Sequence, residues 1–246
     1  MNYISTLDKK LENAVLNFAK PFDDFAILFS GGLDSSLLAK ICLDTGLKPT
    51  LISVYMRGSI DAEHTKNAKK NFDTPYIEKH IDTSEVNTYT KEVVELIGGE
   101  NFIDVSIGVP LYAGFKQALE SGFKAVMVGQ GADELFLGYH RYLRMGRDER
   151  ASANRFDVEN INIQRDITLA GAFGLTLIAP YFDEAVVKFG LTIPVENKIK
   201  NRVRKHVLRE VAKKRGLPEI IWSREKKAIQ YSTGVDKVVR KVLKHA

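Results

Sequence analysis

The chain predicts an α/β fold: a doubly wound parallel sheet with helices on both faces, extended toward its C-terminus by a helical layer. Three observations predict it. Short apolar runs alternate with helix-like segments between residues 25 and 128, the order expected when parallel strands are joined by crossover helices. Two glycine-bearing turns, 30–36 and 129–134, each leave the end of an apolar run. Past Leu135 the strand signal fades and helical patterns dominate, with loops near 152–154 and 216–218. With 246 residues, 44% of them hydrophobic, the chain is long enough to bury its core as a single domain, 1–246.

Residues 3–19 read as a helix because Ile4, Leu7, Leu11, Val15 and Phe18 keep one face apolar. The run Phe25-Ala26-Ile27-Leu28-Phe29 is the first strand, and a helix over 35–45 follows it. Strands at 50–56, 75–81 and 125–128 then alternate with helices at 61–71, 84–97 and 110–121. No repeat, low-complexity tract or long linker interrupts them. No apolar run approaches the roughly 20 residues of a membrane span and no signal peptide is visible, so a soluble, cytoplasmic protein is expected. The only cysteine, Cys42, agrees with a reducing compartment; beside Leu37, Leu38 and Ile41 it reads as a buried small hydrophobe. The five histidines lack the paired spacing of a zinc site.

The most informative segment is Ser30-Gly31-Gly32-Leu33-Asp34-Ser35-Ser36. A strand that ends in two glycines and opens into a helix lets backbone approach a ligand, while N–H groups and the helix dipole point at negative charge. Phosphate is the natural occupant. Asp34 inside such a site would repel phosphate, which is explained if it holds a divalent cation. The segment is not a Walker loop, and Gly129-Gln130-Gly131 is not a dinucleotide fingerprint, since Glu134 stands where its third glycine belongs. The pattern points to a magnesium nucleotide.

Ser-Gly-Gly-Leu-Asp-Ser-Ser resembles the pyrophosphate loop of the ATP pyrophosphatases, which cleave ATP between the α and β phosphates. The stretch 128–139, Val-Gly-Gln-Gly-Ala-Asp-Glu-Leu-Phe-Leu-Gly-Tyr, resembles the Gly-Glu-Gly-Ala/Ser-Asp-Glu-Leu-Phe-Gly-Gly-Tyr segment of asparagine synthetases. Three further segments echo the same family: 178–183, the Lys-x-x-Leu-Arg pattern at 205–209, and Arg224-Glu225-Lys226 followed eight residues later by Gly234. The resemblance implies an adenine nucleotide alpha hydrolase-like fold, with 1–134 as the nucleotide-binding core and 135–246 as a mainly helical substrate-side extension. It also implies an AMP-forming amide ligase that uses ATP and Mg2+, activates a carboxylate as its acyl-adenylate, aspartate being the first guess, and amidates it with ammonia. Asn2 follows Met1, where the glutamine-using enzymes begin a glutaminase domain with a cysteine nucleophile. The chain therefore resembles the synthetase half alone, with nitrogen from free ammonia or a separate glutaminase subunit.

Site residues follow from the motif and the resemblance. Ser30, Gly31, Gly32, Asp34, Ser35, Ser36, Ser53, Gly129 and Gly131 are expected at ATP, and Asp34 and Asp133 at the metal. Asp34, Gln130, Glu134 and Lys226 are the catalytic candidates, with Lys226 a cationic finger over the developing charge; Arg165 and Glu134 are expected at the substrate. Helix capping explains Asp133 and Glu134 equally well from the residues alone, and a strand-terminal hydroxyl bonded to backbone explains Ser53 nearly as well. Four positions depart from the family: Gln130 replaces a glutamate, Asn162 an aspartate, and Thr176 and Ile178 a Glu-x-Arg pair.

The rival function class is nucleic-acid binding, because several ATP pyrophosphatases modify transfer RNA and this chain has net charge +5. The excess is concentrated: residues 198–215 hold nine Lys or Arg, with Glu210 the only acid. Val203, Val207, Leu208 and Val211 give that segment an apolar stripe, so its basic residues are read as the solvated outer face of a packed helix, with a phosphate-facing Lys205 as a further option. No aromatic interleaving supports base stacking. A nucleotide-binding scaffold without catalysis is a third class, against which the complete 30–36 loop argues.

Overall fold

The computed structural model describes residues 2–160, 163–224 and 233–244. Five strands form one all-parallel sheet: β1 (Ala26–Leu28), β2 (Thr50–Met56), β3 (Tyr76–Ile81), β4 (Ala125–Met127) and β5 (Thr176–Ile178), in the order β3-β2-β1-β4-β5. The first four lie within the predicted runs. The fifth was not expected, because residues past Leu135 read as helical; three residues at a sheet edge, with Thr176 exposed, carry too little alternation to register.

Chain direction across the sheet reverses after β3. Helices α2 (Leu33–Asp44) and α3 (Ile60–Lys69) carry the chain outward from β1 to β3, and α4 (Thr83–Ile97) and α5 (Phe102–Glu120) carry it back to β4. The two pairs cover opposite faces. Ile27, Leu51 and Met127 point into a core shared with α2 and the N-terminal helix α1 (Tyr3–Ala19), whereas their neighbours Ala26, Ile52 and Val126 point into a core shared with α4 and α5. Strands buried on both faces in this way read as continuous apolar runs. The reversal leaves a crevice between the carboxyl ends of β1 and β4, the place where doubly wound sheets bind ligands.

One helix boundary differs from expectation. The helix expected over 110–121 is longer at its start: α5 begins at Phe102 and holds Pro110 inside it. The true start is fixed by Asn101, whose Oδ1 accepts from the N–H groups of Ile103 and Asp104 at 2.9 and 3.2 Å. That shift brings Ile103, Asp104 and Ile107 to the crevice.

The C-terminal half supplies the short α6 (Ala132–Leu135), α7 (Arg147–Glu159), α8 (Gln164–Gly171), α9 (Glu184–Thr192), α10 (Val195–Lys198), α11 (His206–Lys214), α12 (Glu219–Trp222) and α13 (Asp236–Leu243). Here too α8 and α13 pack on the α4–α5 face and α9 and α11 on the other. No helix among the described residues is long and apolar enough to cross a membrane.

Candidate functional site

The crevice opens into a cavity of about 450 Å3. Two strand-end loops form its floor. The first runs from β1 into α2, and its geometry is set by Gly31 at φ +67°, where an added Cβ would lie 3.0 Å from the Thr65 backbone and from Ala68. Ser30 is tied across this turn, its N–H donating to Ser35 Oγ at 3.2 Å, while His64 Nε2 and Thr65 Oγ1 hold the Gly31 and Ser30 carbonyls. Gly32 caps α2 without a side chain, so the cap position leaves the helix N-terminus open to a ligand rather than closed by its own residue. Ser30, Gly32, Asp34 and Ser35 line the cavity.

The second loop, from β4 into α6, brings Gly129, Gln130, Gly131, Asp133 and Glu134 to the same cavity. Asp34 and Asp133 meet there around one cation. Lys205 Nζ donates to both Asp34 oxygens and to Asp133 Oδ1, each at 2.8 Å, and Lys205 and Asp34 are 4% and 5% exposed. This ammonium crosses 171 residues of sequence to reach Asp34. It gets there because Asn201, Arg202 and Lys205 all take left-handed backbone, φ +49°, +63° and +53°, turning the chain into α11 so that the lysine points inward. Left-handed non-glycine residues cost on the order of 1–3 kcal/mol each. Gly138 completes the arrangement: a Cβ there would fall onto Asp133 Oδ1 and Lys205 Cε.

The two carboxylates fit magnesium. That ion is commonly bound by one or two carboxylates with the remaining positions filled by water and phosphate oxygens. A pair already converging on a single ammonium at 2.8 Å marks such a cation position. Tyr181, wholly buried beside this pair, donates to the Asp34 carbonyl at 3.1 Å; burial pushes its own pKa well above the usual phenol value.

A second charged group lies at the far end of the cavity. Arg165 donates from Nε to Asp166 Oδ1 at 2.8 Å and from Nη1 to Asp104 Oδ1 at 3.0 Å. Asp166 is completely buried, and desolvation raises its pKa although Arg165 and the neighbouring Gln130 amide favour its charged form. Arg165, expected at the substrate, lines the cavity already matched by two acids. Glu134 accepts from the Tyr139 hydroxyl, and its carbonyl accepts from Asn154 Nδ2 at 2.6 Å. Behind Asn154 stands Lys198, wholly buried, donating to Asn154 Oδ1 at 2.5 Å; burial drops its pKa to about 7.

Three residues expected at ATP do not line this cavity. Ser53 is buried and spends its hydroxyl on the Phe29 carbonyl at 2.5 Å, the strand-terminal role weighed above. Ser36 is wholly buried in α2, and Gly31 shapes the turn from behind, against Thr65 and Ala68. Lys226 and Asn162 lie outside the described residues. Cys42 is buried, its thiol pushed up to about 12 by desolvation, as an inert hydrophobe should be.

The basic run also needs correction. Lys198, Lys205, Arg209 and Arg215 are buried or nearly so, each with assigned partners, rather than part of a solvated face. Arg209 donates to the carbonyls of Arg204, Trp222 and Arg224, stapling the chain beside the cavity. Arg215 is held by Asp8, Glu12 and Asp44. Part of the positive charge that favoured nucleic acid is therefore internal and compensated.

Comparison with known proteins identifies a family. The asparagine synthase family model matches residues 6–165 and 154–246. The chain is 33% identical to a putative glutamine-hydrolysing asparagine synthetase of Methanocaldococcus jannaschii, over 97% of this chain and 51% of that protein. It is 27% identical to asparagine synthetase 1 of Arabidopsis thaliana, over 92% and 42%, and 26% identical to that of Brassica oleracea, over 91% and 42%. The chain spans about half the length of the curated relatives it matches. With two strand-end loops closing on one cation and a family match running almost end to end, the chain belongs to the asparagine synthase family.

Proposed function

We propose that the chain is an ATP-dependent carbon–nitrogen ligase that forms AMP. The observation that carries this reading is the Asp34–Lys205–Asp133 cluster, seated between the open N-terminus of α2 and the β4–α6 loop. A nucleoside triphosphate placed over that helix end would meet backbone N–H groups and the Lys205 ammonium, with the Asp34 and Asp133 carboxylates beside them.

In the proposed reaction a substrate carboxylate oxygen attacks the α-phosphorus, the bond to the bridging oxygen breaks, and pyrophosphate leaves. Ammonia then attacks the acyl carbon, AMP departs, and a proton is released as the amide forms. Magnesium, held by Asp34 and Asp133, would neutralise phosphate charge. The chain's own residues do the rest: Ser30, Gly32 and Ser35 seat the phosphates, Lys205 stands beside the departing pyrophosphate, and Gln130 and Glu134 orient the reacting acyl group. Gln130 cannot accept a proton as glutamate would, so its amide is assigned to orientation by hydrogen bonding. Nitrogen would come from free ammonia or from a separate glutaminase subunit, and Lys226 is proposed as the closing cation. The substrate side is proposed to be shared, 135–246 supplying Tyr139, Phe156 and Arg165, and the first half Ile103, Asp104, Gln130 and Glu134.

Pyrophosphate exchange tests this reading. Labelled pyrophosphate should enter ATP only when magnesium and a carboxylic acid are both present, and Asp34→Ala should abolish the exchange. Exchange that persists in Asp34→Ala would show that the 30–36 loop is not the phosphate site.

A further inference from the structure

We propose that the acid activated here is a monocarboxylate with an apolar or aromatic body, recognised by Ile103, Tyr139 and Phe156, and not a dicarboxylate such as aspartate. The inference rests on the acid-activating reading above and names its substrate class.

The first ground is where exposed apolar surface lies. Ile103, Tyr139 and Phe156 are 58%, 37% and 64% exposed, and all three line the cavity. They come from three separate elements: the start of α5, the segment after α6, and α7. Single exposed hydrophobics are ordinary, but three large ones converging on the mouth of a cleft are the usual lining of a ligand's apolar part. Tyr139 is also held in place. Its hydroxyl is on Glu134, and the Arg141 guanidinium stacks 4.9 Å from its ring centroid. A ring fixed on both sides is a preorganised platform, with little entropy left to lose on binding.

The second ground is charge. Six acids line the cavity, Asp34, Asp104, Asp133, Glu134, Asp157 and Asp166, with five described cations, Arg141, Arg165, Lys205, Arg209 and Arg224. Arg141 is matched by Asp157, Arg165 by Asp104 and Asp166, and Lys205 by Asp34 and Asp133, while Arg209 is spent on backbone carbonyls. The second carboxylate of a dicarboxylic acid would lose water there and have to compete with Asp157, Asp104 and Asp166 for Arg141 and Arg165, which selects against it as the apolar wall selects for its replacement.

The test is pyrophosphate exchange without ammonia, run with phenylacetate, phenylalanine, leucine, aspartate and glutamate on the wild-type chain and on Phe156→Ala and Ile103→Ala. At least one apolar acid should exceed aspartate by tenfold or more in kcat/KM. Each variant should lower that value about tenfold to a hundredfold, the range one lost apolar contact in a specificity pocket commands, through KM for the acid and not for ATP. Both residues are exposed, so thermal unfolding should stay at the wild-type midpoint. Aspartate or glutamate equal to or better than the apolar acids, or variants that leave the preference unchanged, would overturn the inference while leaving the ligase reading intact. No exchange with any acid would overturn both.

Discussion

Lys198 lets the structure be tested through pH. Its ammonium end is buried on α10 against Asn154, which in turn holds the Glu134 carbonyl, so this lysine supports the turn that carries Asp133 and Glu134. Burial lowers its pKa from 10.5 to about 7. The sign follows from proton counting. Below pH 7 both folded and unfolded chains are protonated at this group, and the folded state bears the full cost of a buried charge, about 5 kcal/mol for a depression of that size. Between about 7 and 10.5 the unfolded chain holds a proton that the folded chain lacks, so stability rises with pH by about 1.4 kcal/mol per unit. Tyrosine ionisation intrudes near pH 10, so the clean window is pH 7 to 9, over which the gain is about 3 kcal/mol. Lys198→Met keeps the bulk, removes the titration and leaves Asn154 Oδ1 without its donor, a loss of about 1–3 kcal/mol. Urea unfolding at pH 6, 7, 8 and 9 measures the difference. The methionine variant should be the more stable protein at pH 6, with the advantage shrinking to about zero by pH 9. Parallel profiles for the two proteins would refute the reasoning and mean that Lys198 keeps its proton in the fold.

Other perturbations bear on the cluster directly. Lys205→Met leaves Asp34 and Asp133 facing each other without their shared cation, so the variant should lose about 3–5 kcal/mol of stability and recover part of it in magnesium. Thermal unfolding with and without the ion should therefore show a larger magnesium shift in the variant than in the wild type. Gly138→Ala drives a methyl into Asp133 and Lys205; overpacking of this kind costs about 1–3 kcal/mol, and pyrophosphate exchange should fall with it, whereas Gly146→Ala, where a Cβ meets nothing within 4 Å, serves as the control. Arg209→Lys cannot reach three carbonyls at once, so KM for ATP should rise and the midpoint of urea unfolding should fall.

The sheet core was legible because β1, β2 and β4 are apolar runs bounded by turn residues, with the more polar β3 at the edge, and both strand-end loops could be assigned to one cleft from topology alone. What escaped the sequence had physical causes. β5 is three residues long and lies at the edge. Pro110 imitates a helix start although Asn101 is the cap. The basic run at 198–215 reads as a surface because no periodicity shows that Lys198, Lys205 and Arg215 turn inward to partners up to 207 residues away. Arg165 illustrates the same gap: the motif offers a cation, and only the fold reveals the acids that neutralise it, Asp104 from another helix and Asp166 next door. Ser53 went the opposite way, its hydroxyl being taken by the backbone of the neighbouring strand. Local pattern reports elements, and long-range pairing decides which charged groups form the site.

The most direct test of the central claim is the identity of the products from ATP. The wild-type chain, supplied with magnesium, ammonia and an acid that supports exchange, should yield AMP and pyrophosphate in equal amounts, with the Asp133→Asn variant giving far less of both. ADP and inorganic phosphate in their place would contradict the account, because the phosphate cradle at 30–36 would then serve cleavage at the γ-phosphate.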